Sequence, residues 1–504
     1  MSPAASGPAG PGRPSASGGP AGEGLPGAGL PATIAGCAVA LRSGQLSSVQ
    51  LVSALHQQAD AADSALGAFT TRFVEESREA AAAADAELAA GLDRGPLHGI
   101  PIGVKDIIAS REGITSASSA VIDPSWWAGQ DAPAVARLRS AGAVIIGKTT
   151  TMEYALGEPD SDQGLAQPRC AWDLGRWAGG SSSGSASGVA AGLMLGALGS
   201  DTGGSVRLPA AFNGVTGHKP TFGLVPKSGM HVLGFSLDAM GPMARTARDC
   251  ALMLDVIAGP DASDPSSVNG PAAGYAAALE PGDLDLSGVR IGVDQAAVRD
   301  REGCDPAVLG LFERAIGVLA AAGAVVVPVE SPPWRLCALA AAVIWQADAL
   351  TYHRDLIRAH WREFGRGIRA MFIEGLLVTP SDRAAADRVR RMICDHVSAT
   401  LTGVDVVLSP THGTGALPYE ARSGSGVDET AFTVAWNLTG GPAASVPMGM
   451  TAQGLPLGLQ IAGRPFQDAR VLAVADAFQQ LTSHHLACPP IARPPSTRPL
   501  AGHR

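Results

Sequence analysis

The chain has 504 residues, of which 46% are hydrophobic and 16% are charged. This composition is that of a globular protein with a large core, in one large domain or two or three smaller ones. The formal net charge is −9, and without a basic stripe interleaved with aromatic residues it argues against direct binding of nucleic acid. No apolar run approaches the roughly 18 to 20 residues that span a bilayer, so we expect no membrane association.

The two ends of the chain differ from the rest in composition. The first thirty residues are almost all Gly, Pro, Ala and Ser, which predicts a disordered leader over 1–30 because so little apolar surface cannot offset the entropy of ordering. This leader lacks the basic start and apolar core of a signal peptide. The tail, 491–504, is expected to be loose. Seven scattered cysteines without a CxxC pair favour reduced thiols and a cytoplasmic location.

The first predicted elements are helices. Apolar residues recur at helical spacing from Thr33 to about Gly91, and the run ESREAAAAADAELAAG strongly favours a helix. Ser47 and Ser48 precede the second predicted helix as candidate N-caps. We interpret this region as scaffold.

A strand-helix-strand unit follows. Residues 97–108 read as a strand with Lys105 near its end. The amphipathic helix APAVARLRSAGA then leads into the apolar strand VIIGKT at 144–149, an order that implies parallel pairing. The same alternation resumes later, which predicts an α/β fold with one large mixed sheet covered by helices. The later predicted elements are strands at 289–295, 323–328 and 404–409, a helix at 306–323, a helical covering layer at 335–400 and a hairpin at 441–463.

A Gly/Ser-rich loop at 179–188 leads into VAAGLMLGALGS, whose small apolar residues suit a buried helix. A surface linker is the plainer interpretation of such a loop, but linkers rarely join buried elements. The Gly-Lys-Ser/Thr ending of a phosphate-binding loop is missing. Residues 180–184 match the G-x-S-x-G elbow of α/β-hydrolases, yet CAWDLGRWAGG before them does not read as a strand, so we treat this match as accidental.

Ser205 follows two glycines in GSDTGGSVRLPAAF, where a helix is able to begin. Consecutive glycines let backbone N–H groups converge on one point, and a helix N-terminus adds positive partial charge. An oxyanion hole is built in this way, and each such donor contributes about 3 kcal/mol to an acyl-transfer step. A simple tight turn explains the motif equally well.

Lys105 lies in an otherwise apolar strand. A lysine there usually extends to solvent or pairs with a carboxylate, and Asp106 is adjacent. If Lys105 is instead buried beside serine hydroxyls, desolvation lowers its pKa and lets it act as a base. Spacing alone leaves both interpretations open.

Five stretches in order carry the strongest signal: GIPIGVKD, AGGSSSGSASGVAAGL, LGSDTGGSVRLPAAFNGVTGHKPTFGLVP, SLDAMGPMARTARD, and GGPAASVPMG with GLPLGLQIAG. In order and spacing they resemble the amidase signature family of Ser-Ser-Lys hydrolases, over about residues 33–480. The resemblance implies a single large domain at 31–490, with a mixed, largely parallel β-sheet between layers of α-helices.

The resemblance also implies roles for individual residues. Ser205 would be the nucleophile, Ser181 the bridging serine on a cis peptide with Gly180, and Lys105 the base. Lys105 would take a proton through Ser181 as Ser205 attacks the carbonyl. The oxyanion hole would consist of the backbone N–H groups of Thr202, Gly203, Gly204 and Ser205.

Other residues near these motifs have two interpretations or a structural one. Asp201 and Arg207 flank the nucleophile loop, and we hypothesise that they pair to brace it. Residues 152–156 lie near the acyl pocket by resemblance, but ordinary core packing explains them as well. The tryptophans Trp126, Trp127 and Trp436 fit either a pocket or the surface layer, so the substrate-binding residues are unknown.

A metal site is not expected. The histidines include no HExxH pair, and His484 and His485 stand near the loose end. His218 reads as a structural loop residue rather than a catalyst. No cofactor is expected for acyl transfer of this kind.

Three functions fit these observations. The leading expectation is a free-standing amidase that hydrolyses a small linear carboxamide to acid and ammonia or amine. A homodimer is compatible with this function. The alternative is the glutamine-hydrolysing subunit of a tRNA-dependent amidotransferase, which needs partner subunits. Its glutamine-recognising acidic residue has no clear match in VDETAFTVAW, before NLTGGPAASVP. The third is a biosynthetic enzyme in which an amine replaces water.

Overall fold

A computed structural model describes residues 30–156, 164–270, 274–279, 284–419 and 429–492. The predicted leader, apart from its last residue, and the tail beyond residue 492 lie outside this part of the chain. The helices are α1 (Ile34–Arg42), α2 (Ser48–Leu66), α3 (Val74–Ala89), α4 (Pro133–Ser140), α5 (Ser183–Ala190), α6 (Arg207–Asn213), α7 (Ala247–Ile257), α8 (Gln295–Arg299), α9 (Pro306–Ala321), α10 (Trp334–His360), α11 (Arg366–Leu377), α12 (Pro380–Thr402), α13 (Ala435–Leu438) and α14 (Asp468–Leu481).

Strands alternate with these helices along the chain. The strands are β1 (Phe69–Arg72), β2 (Pro101–Lys105), β3 (Val144–Thr149), β4 (Arg169–Cys170), β5 (Asp173–Trp177), β6 (Gly196–Asp201), β7 (Thr216–Lys219), β8 (Ala239–Ala244), β9 (Arg290–Val293), β10 (Val325–Pro328), β11 (Val406–Pro410), β12 (Ala443–Met450) and β13 (Pro456–Gly463). None of the described helices combines the length and apolar character that crossing a bilayer requires.

One 11-stranded sheet runs through the described part of the chain, in the order β1-β3-β2-β6-β8-β7-β12-β13-β11-β9-β10. The predicted mixed sheet of an α/β fold is confirmed. Its parallel pairs, however, are the minority: β2 pairs in parallel with β3 and β6, and β9 with β10 and β11. The other six neighbouring pairs are antiparallel. Helical crossovers produce the parallel pairs β2–β3 and β9–β10, whereas a short turn returns β13 antiparallel to β12.

The predicted scaffold region, 33–91, contains three helices and also β1, which the helical spacing did not reveal. Ser47 is the N-cap of α2: its side chain accepts from the Gln50 N–H, and the Gln50 side chain accepts from the Ser47 N–H. This capping box satisfies two backbone donors at the helix start. The prediction for Ser47 is therefore confirmed, while Ser48 is the first residue of the helix.

The segment 189–200 does not form the expected buried helix. Helix α5 begins within the Gly/Ser loop and ends at Ala190, and β6 begins at Gly196. Every residue of β6 is buried, because β2 and β8 flank this strand and helices cover the sheet. Small residues here serve a central strand rather than a helix.

The segment before the Gly/Ser loop also differs from expectation, because it contains the antiparallel strands β4 and β5. These two strands form a separate sheet, so the loop is not the strand-to-helix elbow of an α/β-hydrolase. The later predictions are confirmed. The strands and helix predicted between 289 and 409, the helical layer at 335–400 and the hairpin at 441–463 correspond to β9, α9, β10, β11, α10–α12 and β12–β13.

Candidate active site

Lys105 is the last residue of β2 and is fully buried. Its Nζ lies 2.7 Å from Ser181 Oγ and 2.8 Å from Ser200 Oγ. Burial lowers the pKa of Lys105 to about 7, although the charges of Asp201 and Asp238 oppose this shift. The structure therefore supports the interpretation in which Lys105 lies beside serine hydroxyls, and its amine titrates in the range a general base requires.

Asp106 does not pair with Lys105. Its carboxylate accepts hydrogen bonds from the Ser116 side chain and backbone and lies 3.8 Å from the Nζ of Lys148. Lys148 is on β3 opposite Val104, whereas Lys105 is opposite Thr149. Because neighbouring residues of a strand point to opposite faces, the two buried lysines occupy different sides of the sheet.

Ser181 lies between the short β4–β5 sheet and α5, and its preceding peptide bond, Gly180–Ser181, is cis as the resemblance implies. A Cβ on Gly180 would come within 2.3 Å of Met152 Sδ and 2.5 Å of the Trp177 ring. The residue before Ser181 is therefore closely packed from both sides. Ser181 itself is 1% exposed.

A backbone hydrogen bond joins Ser205 to the loop that contains Ser181: the Ser182 N–H donates to the Ser205 carbonyl at 3.1 Å. It follows β6 and is partly exposed, unlike its buried neighbours in the loop. Gly204 has φ +139°, and a Cβ there would lie 2.4 Å from Thr433 Oγ1. This conformation and this lack of space both require glycine before Ser205.

Asp201 and Arg207 form the predicted pair. Arg207 donates from Nε and Nη2 to the two carboxylate oxygens, at 3.0 and 2.8 Å, and both side chains are fully buried. Burial raises the pKa of Asp201, but the charge and hydrogen bonds of Arg207, together with Lys219 and Asn437, outweigh it and hold that pKa at about 2. The Asp201 carboxylate also accepts from the Val206 and Arg207 N–H groups, so it contacts the backbone just after Ser205.

For residues 152–156 the sequence left two interpretations, a place near the acyl pocket and ordinary core packing, and the structure supports each for a different residue. Met152 contacts Gly180, whereas Tyr154 is buried, donates to the Val121 carbonyl at 2.7 Å and packs against His231 and His353. Tyr154 and Ala155 have positive φ values of 50° and 61°. Core packing therefore accounts for Tyr154, and Met152 is the member of this stretch that touches the Ser181 loop.

The remaining predicted candidates have other partners. Trp436 is 3% exposed and belongs to the core, and Trp126 stacks on His231 with ring centroids 3.8 Å apart. Trp127 is partly buried against the core. His218 is structural, as predicted, but lies in β7 rather than in a loop, with Nε2 3.1 Å from Asp468.

Sequence reasoning did not identify three residues that shape the site. Ser200 is the second hydroxyl partner of Lys105, Asp238 accepts from Thr202 Oγ1 at 2.6 Å, and Trp345 of α10 packs on Gly203. The sequence contained two signals: the hydroxyl of Ser200 in an otherwise small, apolar strand, and the carboxylate of Asp238 in SLDAMGP. Neither signal shows which residue the side chain contacts unless the fold is known.

A family model described as Amidase matches residues 50–472. The chain belongs to this family, the amidase signature family. The glutamyl-tRNA(Gln) amidotransferase A subunit of Methylococcus capsulatus is 37% identical over 91% of this amidase-family chain and 98% of its own length. The protein of the same name from Roseiflexus sp. is 38% identical over 91% and 98%. The crystal structure of a peptide amidase from Stenotrophomonas maltophilia has a TM-score of 0.78 and 32% identity, covering 89% of this chain and 96% of that one.

Proposed function

We propose that this chain cleaves the C–N bond of a carboxamide through an ester on Ser205, with Ser181 as proton relay and Lys105 as base. The observation that carries this proposal is the hydrogen bond of 2.7 Å between Ser181 and the buried Lys105, whose pKa is lowered to about 7. A neutral amine in contact with a serine hydroxyl is able to accept its proton.

In the proposed reaction, Ser205 Oγ bonds to the carbonyl carbon while its proton passes to Ser181 and the Ser181 proton to Lys105. Backbone N–H groups of Thr202, Gly203, Gly204 and Ser205 stabilise the oxyanion. The C–N bond then breaks as the nitrogen takes a proton from Ser181, which Lys105 resupplies. Water then attacks the ester carbon while its proton passes through Ser181 to Lys105. The bond from that carbon to Ser205 Oγ breaks as Oγ takes the proton back through Ser181, and the acid leaves.

Glutamine is the first substrate that we propose, hydrolysed by this chain as the A subunit of a tRNA-dependent amidotransferase. The support is the identity of 37% and 38% to proteins of that name over 98% of their length. These relatives favour the alternative expected from the sequence over a free-standing amidase. Partner subunits would then be required for full activity.

A free-standing amidase is the second candidate, supported by the likeness to a peptide amidase and by one feature of the site. Two threonines of the stretch VDETAFTVAW contact the oxyanion loop, residues 202–205: a Cβ on Gly203 would lie 3.3 Å from Thr430 Cγ2, and Thr433 Oγ1 donates to the Gly203 carbonyl. These uncharged side chains offer no ion pair to the ammonium group of a free amino acid.

Ammonia release distinguishes the candidates. The purified chain is assayed on glutamine and on aliphatic, aromatic and peptide amides, first by itself and then with the partner subunits of the amidotransferase relatives. Hydrolysis of glutamine only with those subunits supports the first candidate, and hydrolysis of other amides by the chain alone supports the second. Hydroxamate formation with added hydroxylamine detects acyl transfer to an amine.

The matched variants are Ser205→Ala, expected to abolish activity, and Ser187→Ala, expected to keep it. Ser187 is a buried serine of α5 whose Oγ has no hydrogen-bond partner within the described residues. Amide cleavage that persists at the wild-type rate in Ser205→Ala would overturn the proposal.

A further inference from the structure

Asp238 is a buried carboxylate behind the loop that leads to Ser205. It is 2% exposed, and its Oδ1 accepts from Thr202 Oγ1 at 2.6 Å. The pairing follows from the register of the sheet: Asp201 at the end of β6 is opposite Ala239 at the start of β8. Thr202 and Asp238 are therefore the next cross-strand pair, just beyond both strands, where their side chains meet.

The remaining acceptor positions of Asp238 hold its own loop in place. The Gly234 N–H donates to Oδ1 and the Leu233 N–H to Oδ2, both at 3.0 Å. Burial raises the pKa of Asp238, and the hydrogen bond from Thr202 and the charge of Lys227 oppose that shift. Such a carboxylate is retained in a core only where several donors satisfy it.

The other side of Thr202 is also in close contact. A Cβ on Gly234 would lie 3.0 Å from Thr202 Cγ2 and 3.1 Å from Trp345 Cβ. The hydroxyl of Thr202 thus bonds to Asp238 while its methyl group packs against the Gly234 backbone. Because both groups are engaged, other rotamers of the Thr202 side chain are disfavoured, which restrains the adjoining peptide groups.

We infer that Asp238 is a positioning residue, which acts through Thr202 to aim the first backbone donor of the oxyanion hole. The inference rests on the proposed function. Asp201 contacts the backbone after Ser205 through the Val206 N–H, whereas Asp238 holds the residue at the other end of the loop. Each end of the oxyanion loop is therefore tied to a different buried carboxylate.

Two variants of Thr202 test the inference without altering Asp238. Thr202→Val keeps the shape and the backbone N–H but removes the hydroxyl, so we expect kcat to fall by about 10- to 100-fold, less than the loss of a whole donor. KM should change less than about threefold, because the misaligned donor matters most in the transition state. Thr202→Ser retains the hydroxyl and should be at least tenfold more active than Thr202→Val. Thr482→Val, whose hydroxyl bonds to the Phe478 carbonyl at 2.8 Å at the end of α14, is the control for loss of a threonine hydroxyl elsewhere.

A double-mutant cycle with Asp238→Asn separates positioning from general destabilisation. If Asp238 acts through Thr202, the double variant loses no more kcat than the worse single variant. Losses in kcat that multiply would overturn the inference, as would a Thr202→Val enzyme with the wild-type kcat. If Asp238→Asn does not fold, the comparison of Thr202→Val with Thr202→Ser still decides.

Labelling of Ser205 by a fluorophosphonate distinguishes this inference from the proposed function. A wild-type chain that neither reacts with the probe nor cleaves amides, also when the amidotransferase partner subunits are added, would overturn both. Normal labelling and turnover in the wild type, with an unimpaired Thr202→Val, would overturn the role of Asp238 alone.

Discussion

Lys105 and Asp106 are adjacent in the chain, but their side chains have separate partners. Lys105 contacts Ser181 and Ser200, whereas Asp106 contacts Ser116 and approaches Lys148. A carboxylate in contact with Lys105 would stabilise its protonated form and remove its capacity as a base. Because side chains alternate between the two faces along β2 and the residue after it, the carboxylate of Asp106 is kept away from the Lys105 amine.

The pH dependence of amide cleavage should report on Lys105. Because burial lowers its pKa to about 7 and only the neutral amine accepts a proton, kcat/KM should rise with pH through about 7 and then level off. Lys105→Met should lower kcat by about 10²- to 10⁴-fold and remove this dependence. Lys219 is the control, since burial also lowers its pKa to about 7. A pH limb that disappears in Lys219→Met but persists in Lys105→Met would contradict the assignment.

Breaking the pair of Asp201 and Arg207 should destabilise the fold. Asp201→Asn leaves the fully buried guanidinium of Arg207 without its counter-charge, and we expect the free energy of unfolding to fall by about 3–5 kcal/mol. Denaturant unfolding measures this change, and the exposed pair Arg78–Glu75 supplies Glu75→Gln as a control without measurable effect. Unchanged melting temperature and activity in Asp201→Asn would exclude a bracing role.

Gly204 should not tolerate a side chain. Gly204→Ala would bring a Cβ within 2.4 Å of Thr433 Oγ1 at φ +139°, so the oxyanion loop must move and amide cleavage should fall at least about 100-fold, as for a lost donor. Gly317 is the opposite case, since it is exposed in α9 and a Cβ added there would have no atom within 4 Å. Gly317→Ala should stabilise the protein by about 0.5–1 kcal/mol, measured by denaturant unfolding. Full activity in Gly204→Ala would show that this conformation is not needed.

Acid should destabilise the protein through His231 and His353. Burial lowers the pKa of His231 to about 3 and that of His353 to about 4, and the charge of His353 further opposes protonation of His231. In the unfolded chain both titrate near 6.5, so stability is present above pH 6.5 and is lost as the pH falls towards 4. Each histidine should contribute about 1.4 kcal/mol per pH unit in this window. Urea unfolding at several pH values should show a shallower decline in the variant His231→Phe/His353→Phe, and equal slopes would contradict the prediction.

Local signals in the sequence predicted most of the elements and the candidate catalytic groups. Ser47 with Gln50 set the start of α2, the apolar run VIIGKT gave β3 with the predicted bounds, and the glycine- and serine-rich motifs pointed to Lys105, Ser181 and Ser205 by resemblance. Such patterns depend on neighbours within a few residues, which interact in the same way in many folds.

Only the tertiary structure decided which distant groups meet. Ser200 is 95 positions from Lys105, and Asp238 is 36 positions from Thr202. Both contacts depend on β6 lying between β2 and β8, and the direction of each strand depends on connections that composition does not reveal. Strand order and register are set by packing of the whole core, because a shift of one residue would turn every side chain to the other face of the sheet. The sequence thus determined which candidate catalytic groups the chain contains, and the sheet decided which residues surround them.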